Sequence, residues 1–141
     1  MQVVTHSKKE TAALGEKLAR RLAPGSVVAF TGGLGAGKTA FCEGVAKGLG
    51  CIDPVQSPTF SIVNLYRGPQ PFAHFDLYRI RGYDDLLAAG FFDYIDEGAV
   101  VAAEWSENAA PYLQEPLIRV DIAVTGEDTR VITITGIEEP L

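Results

Sequence analysis

The sequence contains few of the residues that mark several large protein classes. It has two cysteines, Cys42 and Cys51, which show no metal-ligand spacing and are too few for a disulfide framework. No apolar run approaches the roughly 20 residues that a membrane span requires, and residues 1–10 place no apolar run after Lys8 and Lys9, as a signal peptide would. We therefore predict a cytoplasmic protein with reduced cysteines.

Positive charge is also scarce, since 12 Lys and Arg residues stand against 18 Asp and Glu residues, for a formal net charge of −6. Proteins that bind nucleic acids usually carry a basic surface, because neutralising phosphates supplies much of their affinity. We expect no strong binding of RNA or DNA by this chain alone. A bound nucleoside triphosphate has to be held by local dipoles, one lysine and a metal ion, against a repulsive overall field.

The pattern of apolar residues predicts a single α/β domain spanning residues 1–141. Ser7 and Glu10 form a capping box that opens a helix reaching about Leu22. Further helical segments are predicted at 38–49, 83–89 and 108–113, and strands at 26–31, 60–66, 72–78, 99–103, 117–124 and 130–135. The segments at 60–66 and 72–78 form one predicted hairpin, and the last two strands form a C-terminal hairpin.

A glycine-rich segment lies between the first predicted strand and the second helix. Residues 32–39 read Gly-Gly-Leu-Gly-Ala-Gly-Lys-Thr, which is the Walker A spacing. Glycines let consecutive amides turn inward around an anion, and the following helix directs its positive dipole end at the phosphates. The predicted nucleotide-binding residues are Gly33, Leu34, Gly35, Ala36, Gly37, Lys38, Thr39 and Ala40. Lys38 can reach the β- and γ-phosphates, and the Thr39 hydroxyl can bind Mg²⁺. With this loop, the expected fold is a P-loop NTPase-like three-layer sandwich with a mixed, mostly parallel central sheet.

Two acids are candidates for the metal-binding carboxylate that should end a strand beside the P-loop strand. Glu104 follows five apolar residues at 99–103, and Asp76 follows a less uniformly apolar strand that contains His74. We expect both carboxylates to face the phosphates, one on the magnesium ion and one orienting the attacking water. The residues themselves do not assign the two roles.

Other residues near these acids permit both functional and structural interpretations. Thr59, in the Ser-Pro-Thr-Phe segment 57–60, stands where a switch residue would sense the γ-phosphate, although an ordinary proline turn is the better interpretation of the segment taken alone. Trp105 can pack near the nucleotide or fill the core. His74 is interpreted as an ordinary strand residue rather than a catalytic base. The apolar cluster at 91–95 is a candidate docking patch, with core packing the better interpretation.

Several motifs are absent from the sequence, and their absence narrows the class. No Asn-Lys-x-Asp or Asp-x-x-Gly motif is present, which disfavours a GTPase, and no arginine-rich lid follows the P-loop helix, which disfavours a small-molecule kinase. No obvious arginine finger is present either. Because such a finger contributes about 10³- to 10⁵-fold in rate, we expect slow hydrolysis by the isolated chain.

Taken together, the motifs resemble those of the bacterial TsaE family, also called YjeE. The Walker A segment, the Ser-Pro-Thr-Phe segment, the string His-Phe-Asp-Leu-Tyr-Arg at 74–79 and the pair Glu104-Trp105 occur in the family's order and at its separations. The resemblance covers essentially the whole chain. One departure is Gly33, where the family often has Asp, and this change leaves the phosphate contacts intact.

The resemblance implies a set of roles and partners. Lys38 and the loop amides would hold ATP, Thr39 and Glu104 would bind Mg²⁺, Asp76 would serve the hydrolytic water, and Thr59 would act as the switch. The family also implies nucleotide contacts near Thr5 and His6, and a role for Arg130. Its members act with two partner proteins, TsaB and TsaD, in making N6-threonylcarbamoyladenosine at position 37 of tRNA. ATP hydrolysis would reset that complex, and tRNA would be contacted only through the partners.

Two rival hypotheses remain open from the sequence. A small-molecule kinase would phosphorylate a second substrate without any protein partner. A regulatory module would hold the nucleotide without hydrolysing it, although the presence of both Asp76 and Glu104 argues against pure binding.

Overall fold

The computed structural model describes residues 1–32, 37–55, 62–115 and 117–141. In chain order the elements are β1 (Gln2–Thr5), α1 (Lys8–Ala19), β2 (Val27–Thr31), α2 (Lys38–Gly48), β3 (Val63–Tyr66), β4 (Phe72–Asp76), α3 (Tyr83–Ala88), α4 (Phe91–Asp96), β5 (Val100–Glu104), a 3₁₀ helix (Ser106–Tyr112), β6 (Ile118–Val124) and β7 (Arg130–Thr135). None of the described helices is both long enough and apolar enough to cross a bilayer.

The strands form one mixed sheet in the order β1-β7-β6-β2-β5-β4-β3. The four central strands, β6, β2, β5 and β4, run parallel to one another, and antiparallel pairs extend the sheet at both edges. A strand covered on both faces is apolar throughout, which explains the uninterrupted apolar sequences of β2 and β5. The predicted α/β class, the mixed sheet and the two hairpins are confirmed.

Helices cover both faces of the sheet, so the fold has three layers. Alternate residues of β5 show the division: Val100 and Ala102 pack in a core with α1 and α2, whereas Val101 and Ala103 pack in a second core with α3, α4 and the 3₁₀ helix. On β4, Phe72 belongs to the first core. The even-numbered residues of β4 and β5 therefore face α2, and this alternation places the functional side chains.

Two elements were not predicted from the sequence. β1 lies ahead of the Ser7 cap and pairs antiparallel with β7, but it has four residues, of which only Thr5 is buried, and so carries almost no periodic signal. The apolar cluster at 91–95 is the six-residue helix α4, which begins after Gly90 at a φ of 77°. Phe91 is fully buried, and Phe92 and Tyr94 pack against the second core. Core packing therefore accounts for this cluster.

The first helix begins as predicted but ends earlier. The Ser7 hydroxyl accepts a hydrogen bond from the Glu10 amide at 3.0 Å, as the capping box requires. The helix ends at Ala19 rather than near Leu22, because the Arg21 amide bonds the Leu18 carbonyl and closes a tighter last turn.

Glycines set the distance between α1 and α2. A Cβ atom on Gly44 would collide with the carbonyl oxygen of Ala12, and one on Gly15 would collide with that of Phe41. Backbone meets backbone at both places, so neither side can yield by rotating a side chain. The two glycines thus fix the position of α2, and with it the position of Lys38 at its first turn.

We expect Gly44→Ala to lower the free energy of unfolding by about 2 kcal/mol, because overpacking costs about 1–3 kcal/mol and the collision is with backbone. Alanine's helix propensity, worth up to about 1 kcal/mol, offsets only part of that loss. Urea denaturation followed by circular dichroism measures the change.

Gly126→Ala is the control, because a Cβ atom there would meet only the Thr129 side chain, at 3.4 Å. It should change stability by less than about 0.5 kcal/mol. Equal stability of the two variants would show that α1 and α2 are not in close backbone contact.

Candidate functional site

Two glycines with a positive φ stand on either side of residues 33–36, Gly32 directly after β2 and Gly37 directly before α2. Gly32 has a φ of 121° and Gly37 a φ of 96°. A Cβ atom on Gly32 would collide with the carbonyl oxygen of Ile122. Gly37 is the N-cap of α2 and provides no side-chain cap. The first amides of this 11-residue helix therefore have no side-chain partner at the N-cap, as an anion-binding helix end requires.

Lys38, the first residue of α2, is buried, and its ammonium group lies over the Trp105 ring. The residue is 7% exposed, and its Nζ atom lies 5.9 Å from the centroid of the Trp105 ring. A cation over an indole face is attracted by the ring's negative quadrupole. The lysine charge is thus held at the start of the helix, above the end of β5.

Asp76 and Glu104 lie opposite each other, as the last residues of β4 and β5. The two strands are parallel, so their carboxyl ends meet at one edge of the sheet, which is the edge where α2 begins. One Asp76 carboxylate oxygen accepts the Tyr78 amide at 3.0 Å. Both carboxylates are half-buried on the face that carries Lys38.

Glu104 is hydrogen-bonded to His74, which the sequence did not mark as functional. The Nε2 atom of His74 lies 3.1 Å from Oε2 of Glu104, and the imidazole is fully buried. The Cys42 sulfur of α2 lies 3.9 Å from the same nitrogen. The signal that could have shown this contact is register: Glu104 is the diagonal neighbour of His74 across the β4–β5 pair.

This cluster shifts the pKa values of its members in opposite directions. Burial works against the charge of Glu104, but the hydrogen bond and charge of His74, together with the charge of Lys38, outweigh it and hold the pKa of Glu104 below its ordinary value. Burial alone would lower the pKa of His74, but the Cys42 sulfur and the Glu104 carboxylate raise it to about 10. Glu104 is therefore ionised at neutral pH, the form that binds a cation.

Trp105 borders an open cleft beside these carboxylates. It is the one non-glycine residue with a positive φ, 56°, in the described part of the chain, and such backbone conformations cluster at functional sites. Its ring contacts Tyr78 at 5.0 Å between centroids. The cleft has a volume of about 480 Å³ and is lined by Tyr78, Arg79, Arg81, Trp105 and Asn108. Trp105 therefore packs against the second core and Tyr78, and its side chain also lines the cleft.

Thr5 and Arg130, for which the resemblance implies roles, lie opposite each other on the adjacent strands β1 and β7. Thr5 and Thr11 share a buried hydrogen bond of 2.7 Å between their hydroxyls. Arg130 pairs with Thr5 across β1 and β7, and its Nε atom lies 3.7 Å from where a Cβ of Gly37 would be. The Arg130 guanidinium donates to three carbonyls of its own turn. It therefore stands beside the N-cap of α2, held by backbone oxygens.

Some of the predicted site residues lie outside the described ranges: Gly33, Leu34, Gly35, Ala36 and Thr59. Their roles stay predictions. Of the others, Lys38 and Ala40 are buried on α2, Thr39 is exposed on its first turn, and Asp76 and Glu104 occupy the adjacent strand ends.

The described residues contain no group of three His, Cys, Asp or Glu side chains that could hold a metal ion. Mg²⁺ is usually bound in proteins through one or two protein oxygens together with phosphates and water. The oxygen donors at this edge are the Asp76 and Glu104 carboxylates and the Thr39 hydroxyl.

An ion pair secures the segment that precedes residues 56–61. The Asp53 carboxylate accepts from the Arg67 amide at 2.8 Å and from its guanidinium at 3.1 and 3.3 Å. Beyond the segment, the Asp76 amide donates to the Ile62 carbonyl at 2.8 Å. Asp53 and Ile62, described residues on either side of 56–61, are therefore both hydrogen-bonded to the β3–β4 hairpin.

Comparison with known proteins gives one consistent family. Residues 5–132 match the profile of TsaE, described as "Threonylcarbamoyl adenosine biosynthesis protein TsaE". A tRNA threonylcarbamoyladenosine biosynthesis protein TsaE from Treponema pallidum is 35% identical over 95% of this chain and 99% of its own length. The TsaE protein of Bacillus subtilis is 36% identical over 94% of this chain and 84% of its own. The crystal structure of Bacillus subtilis YdiB superposes with a TM-score of 0.75 at 31% identity, covering 95% of this chain and 83% of that one.

The Asp53–Arg67 pair predicts a pH dependence of stability. The hydrogen bonds and charge of Arg67 hold the pKa of Asp53 below its ordinary value of 3.8. A lowered folded pKa contributes stability above the unfolded pKa and loses it as the pH falls through the folded pKa. Wild type should therefore be more stable than Asp53→Asn at pH 7, and this difference should shrink below pH 4, as measured by thermal unfolding.

Asp128→Asn serves as its control, since it removes one carboxylate from the exposed β6–β7 turn. A wild-type minus Asp53→Asn difference that stays constant between pH 7 and pH 3 would contradict the ion pair.

Proposed function

Because the chain belongs to the TsaE family of threonylcarbamoyl adenosine biosynthesis proteins, we propose that it is the Mg²⁺-dependent ATPase subunit of tRNA threonylcarbamoyladenosine formation. It binds ATP at the amino-terminal end of α2 and hydrolyses it slowly when alone. It acts on adenosine 37 of tRNA only through partner proteins, TsaB and TsaD. The domain spanning residues 1–141 is in this proposal a single P-loop ATPase.

One observation carries the proposal: an uncapped, glycine-framed helix end stands opposite two carboxylates on adjacent parallel strands, with a buried lysine between them. Gly37 and Lys38 start α2, and Asp76 and Glu104 end β4 and β5. Amides and a lysine favour phosphates, and carboxylates favour a hard cation. A nucleoside triphosphate with Mg²⁺ is the ligand that satisfies both halves.

The roles of Lys38, Thr39, Asp76 and Glu104 agree with these positions, and the roles of residues 33–36 and Thr59 come from the sequence motifs and the family resemblance. Lys38 and the amides of residues 33–39 hold the β- and γ-phosphates. Glu104 is ionised and, with the Thr39 hydroxyl, supplies oxygen ligands for Mg²⁺, which neutralises charge that develops on the phosphates. Asp76, beside Glu104, orients the attacking water, and Thr59 acts as the switch that responds to the γ-phosphate.

Charge supports the assignment of tRNA to the partners. The net charge of −6 opposes an independent grip on a polyanion. ATP hydrolysis would then change how this subunit sits on the TsaB–TsaD complex and reset it between turnovers. The kinase and regulatory-module hypotheses become outcomes of the experiments below.

Lys38→Ala should weaken ATP binding about 10- to 100-fold, because a hydrogen bond to a charged group contributes about 1.5–3 kcal/mol. Isothermal titration calorimetry with a non-hydrolysable ATP analogue measures the affinity, with circular dichroism as the check of folding.

Lys47→Ala is the matched control, since it removes an exposed lysine from the same helix, far from its amino-terminal end. It should bind the analogue as wild type does. Unchanged affinity in Lys38→Ala would place the nucleotide somewhere else.

Asp76→Ala should keep ATP affinity but lose about 10²- to 10⁴-fold in hydrolysis rate, the usual contribution of a residue that handles the attacking water's proton. The assay measures phosphate release by wild type and variant, with and without purified TsaB and TsaD, followed by nucleoside analysis of tRNA. Wild type should accelerate when the partners are added.

Asp93→Ala, which removes an exposed carboxylate from α4, should behave like wild type. Hydrolysis by Asp76→Ala at the wild-type rate would contradict the assigned role. Phosphorylation of a small molecule without partners would favour the kinase, and binding with no turnover under any condition would favour the regulatory module.

A further inference from the structure

His74 lies on the same sheet face as the proposed metal-binding carboxylate, but one layer deeper. On β4, His74 pairs in register with Ala102, and Asp76 pairs with Glu104. Side chains two residues apart on a strand share a face, so His74, Asp76 and Glu104 all face α2. His74 is fully buried there, beneath the two carboxylates.

The buried imidazole is hydrogen-bonded to one oxygen of the Glu104 carboxylate and makes no hydrogen bond to the other oxygen. The contact is 3.1 Å from Nε2 to Oε2, a distance typical of a charge-assisted hydrogen bond. An ionised carboxylate can only accept, so Nε2 must carry the proton that is donated. The bond therefore requires a proton on Nε2 of His74 and fixes the rotation of the Glu104 carboxylate.

The imidazole is itself held in place from two sides. The Phe72 ring stacks along it at 6.3 Å between centroids and 14° between planes. The Cys42 sulfur, four residues along α2 from Lys38, lies 3.9 Å from Nε2. His74 thus connects the end of β5 to the helix that begins at the proposed phosphate site.

No other described contact holds the Glu104 head group. Among the described residues the nearby Lys38 acts on it through charge, and the only hydrogen-bond partner of its carboxylate is His74. The Nδ1 atom of His74 has no partner among these residues, so the polar contacts of the ring are made through Nε2, to the Glu104 carboxylate and the Cys42 sulfur.

We propose that His74 is a positioning residue, which holds the Glu104 carboxylate in the orientation in which it would bind the divalent cation of the bound nucleotide. The inference rests on the proposed function, and His74 itself touches neither nucleotide nor metal. Hydrogen bonds of this kind orient metal ligands, and their loss typically costs about 10- to 100-fold in metal affinity.

Two substitutions of similar polarity separate positioning from general packing. In His74→Gln the side-chain amide nitrogen can reach the place of Nε2, whereas the shorter side chain in His74→Asn reaches only the place of Nδ1. The probe is Mn²⁺ in the presence of ADP, with free Mn²⁺ measured by electron paramagnetic resonance. We expect Mn²⁺ affinity in the Gln variant within about threefold of wild type, and about 10- to 100-fold weaker affinity in the Asn variant.

ADP affinity measured by calorimetry without any divalent cation should be equal in all three proteins, because His74 acts through Glu104. Phe91→Leu is the packing control: it removes a fully buried ring from the second core, on the other face of the sheet, and should lower thermal stability without changing Mn²⁺ affinity. Wild-type Mn²⁺ affinity in His74→Asn, or equal weakening in the Asn and Gln variants, would overturn the positioning role.

A measurement on the wild-type chain decides the matter even if the variants fail to fold. The sequence has two histidines, of which His6 is exposed and His74 is buried. Nitrogen-15 spectra of the imidazoles should show His74 protonated at Nε2 and protected from exchange, and an Nε2 without a proton would overturn the inference. Absence of any nucleotide binding by wild type would instead refute the proposed function, which distinguishes the two failures.

Discussion

The parallel pairing of β4 with β5, and of β5 with β2, is the constraint on which the site depends. Parallel strands end on the same side, so this pairing brings Asp76, Glu104 and the carboxyl end of β2 to one edge. The strands β2 and β5 are apolar on both faces, so they are stable only where both faces are covered. The helices on each side of the sheet provide that cover. The packing of the core thus determines which polar side chains come together at this edge of the sheet.

The α2 face of the sheet has a gradient of polarity that explains how charge is tolerated there. Val100 and Ala102 are apolar and buried, His74 is polar and buried, and Glu104 is ionised with a side chain that is 15% exposed. A buried histidine with one strong partner is stable, whereas a half-buried carboxylate without one would lose much of its hydration uncompensated. On β4 and β5, the step from the buried positions His74 and Ala102 to the acids at the sheet edge, Asp76 and Glu104, is therefore only two residues.

Local signals in the sequence predicted the helices and strands better than they predicted the contacts between them. The Ser7–Glu10 capping box and the Walker A spacing are set by residues a few positions apart, and both predicted helix starts agree with the structure. β1 escaped prediction because its stability comes from pairing with β7, more than 120 residues later.

Asp76 and Glu104 were predicted as site residues because each acid follows an apolar strand, and the structure places them as adjacent strand ends. His74 was interpreted as an ordinary strand residue, because its importance depends on the β4–β5 register, and register between distant strands is invisible in local patterns. The remaining loop residues and Thr59 keep the roles that the sequence suggested, as predictions.

Trp105 is the only tryptophan in the chain, and its position has a practical consequence. The indole follows Glu104 directly, lies beneath the Lys38 ammonium group and contacts Tyr78. Its emission is sensitive to the charges around it, so the protein contains an intrinsic fluorophore at the edge where the proposed ligand arrives. Stopped-flow traces of that emission can time the arrival and departure of nucleotide without a dye.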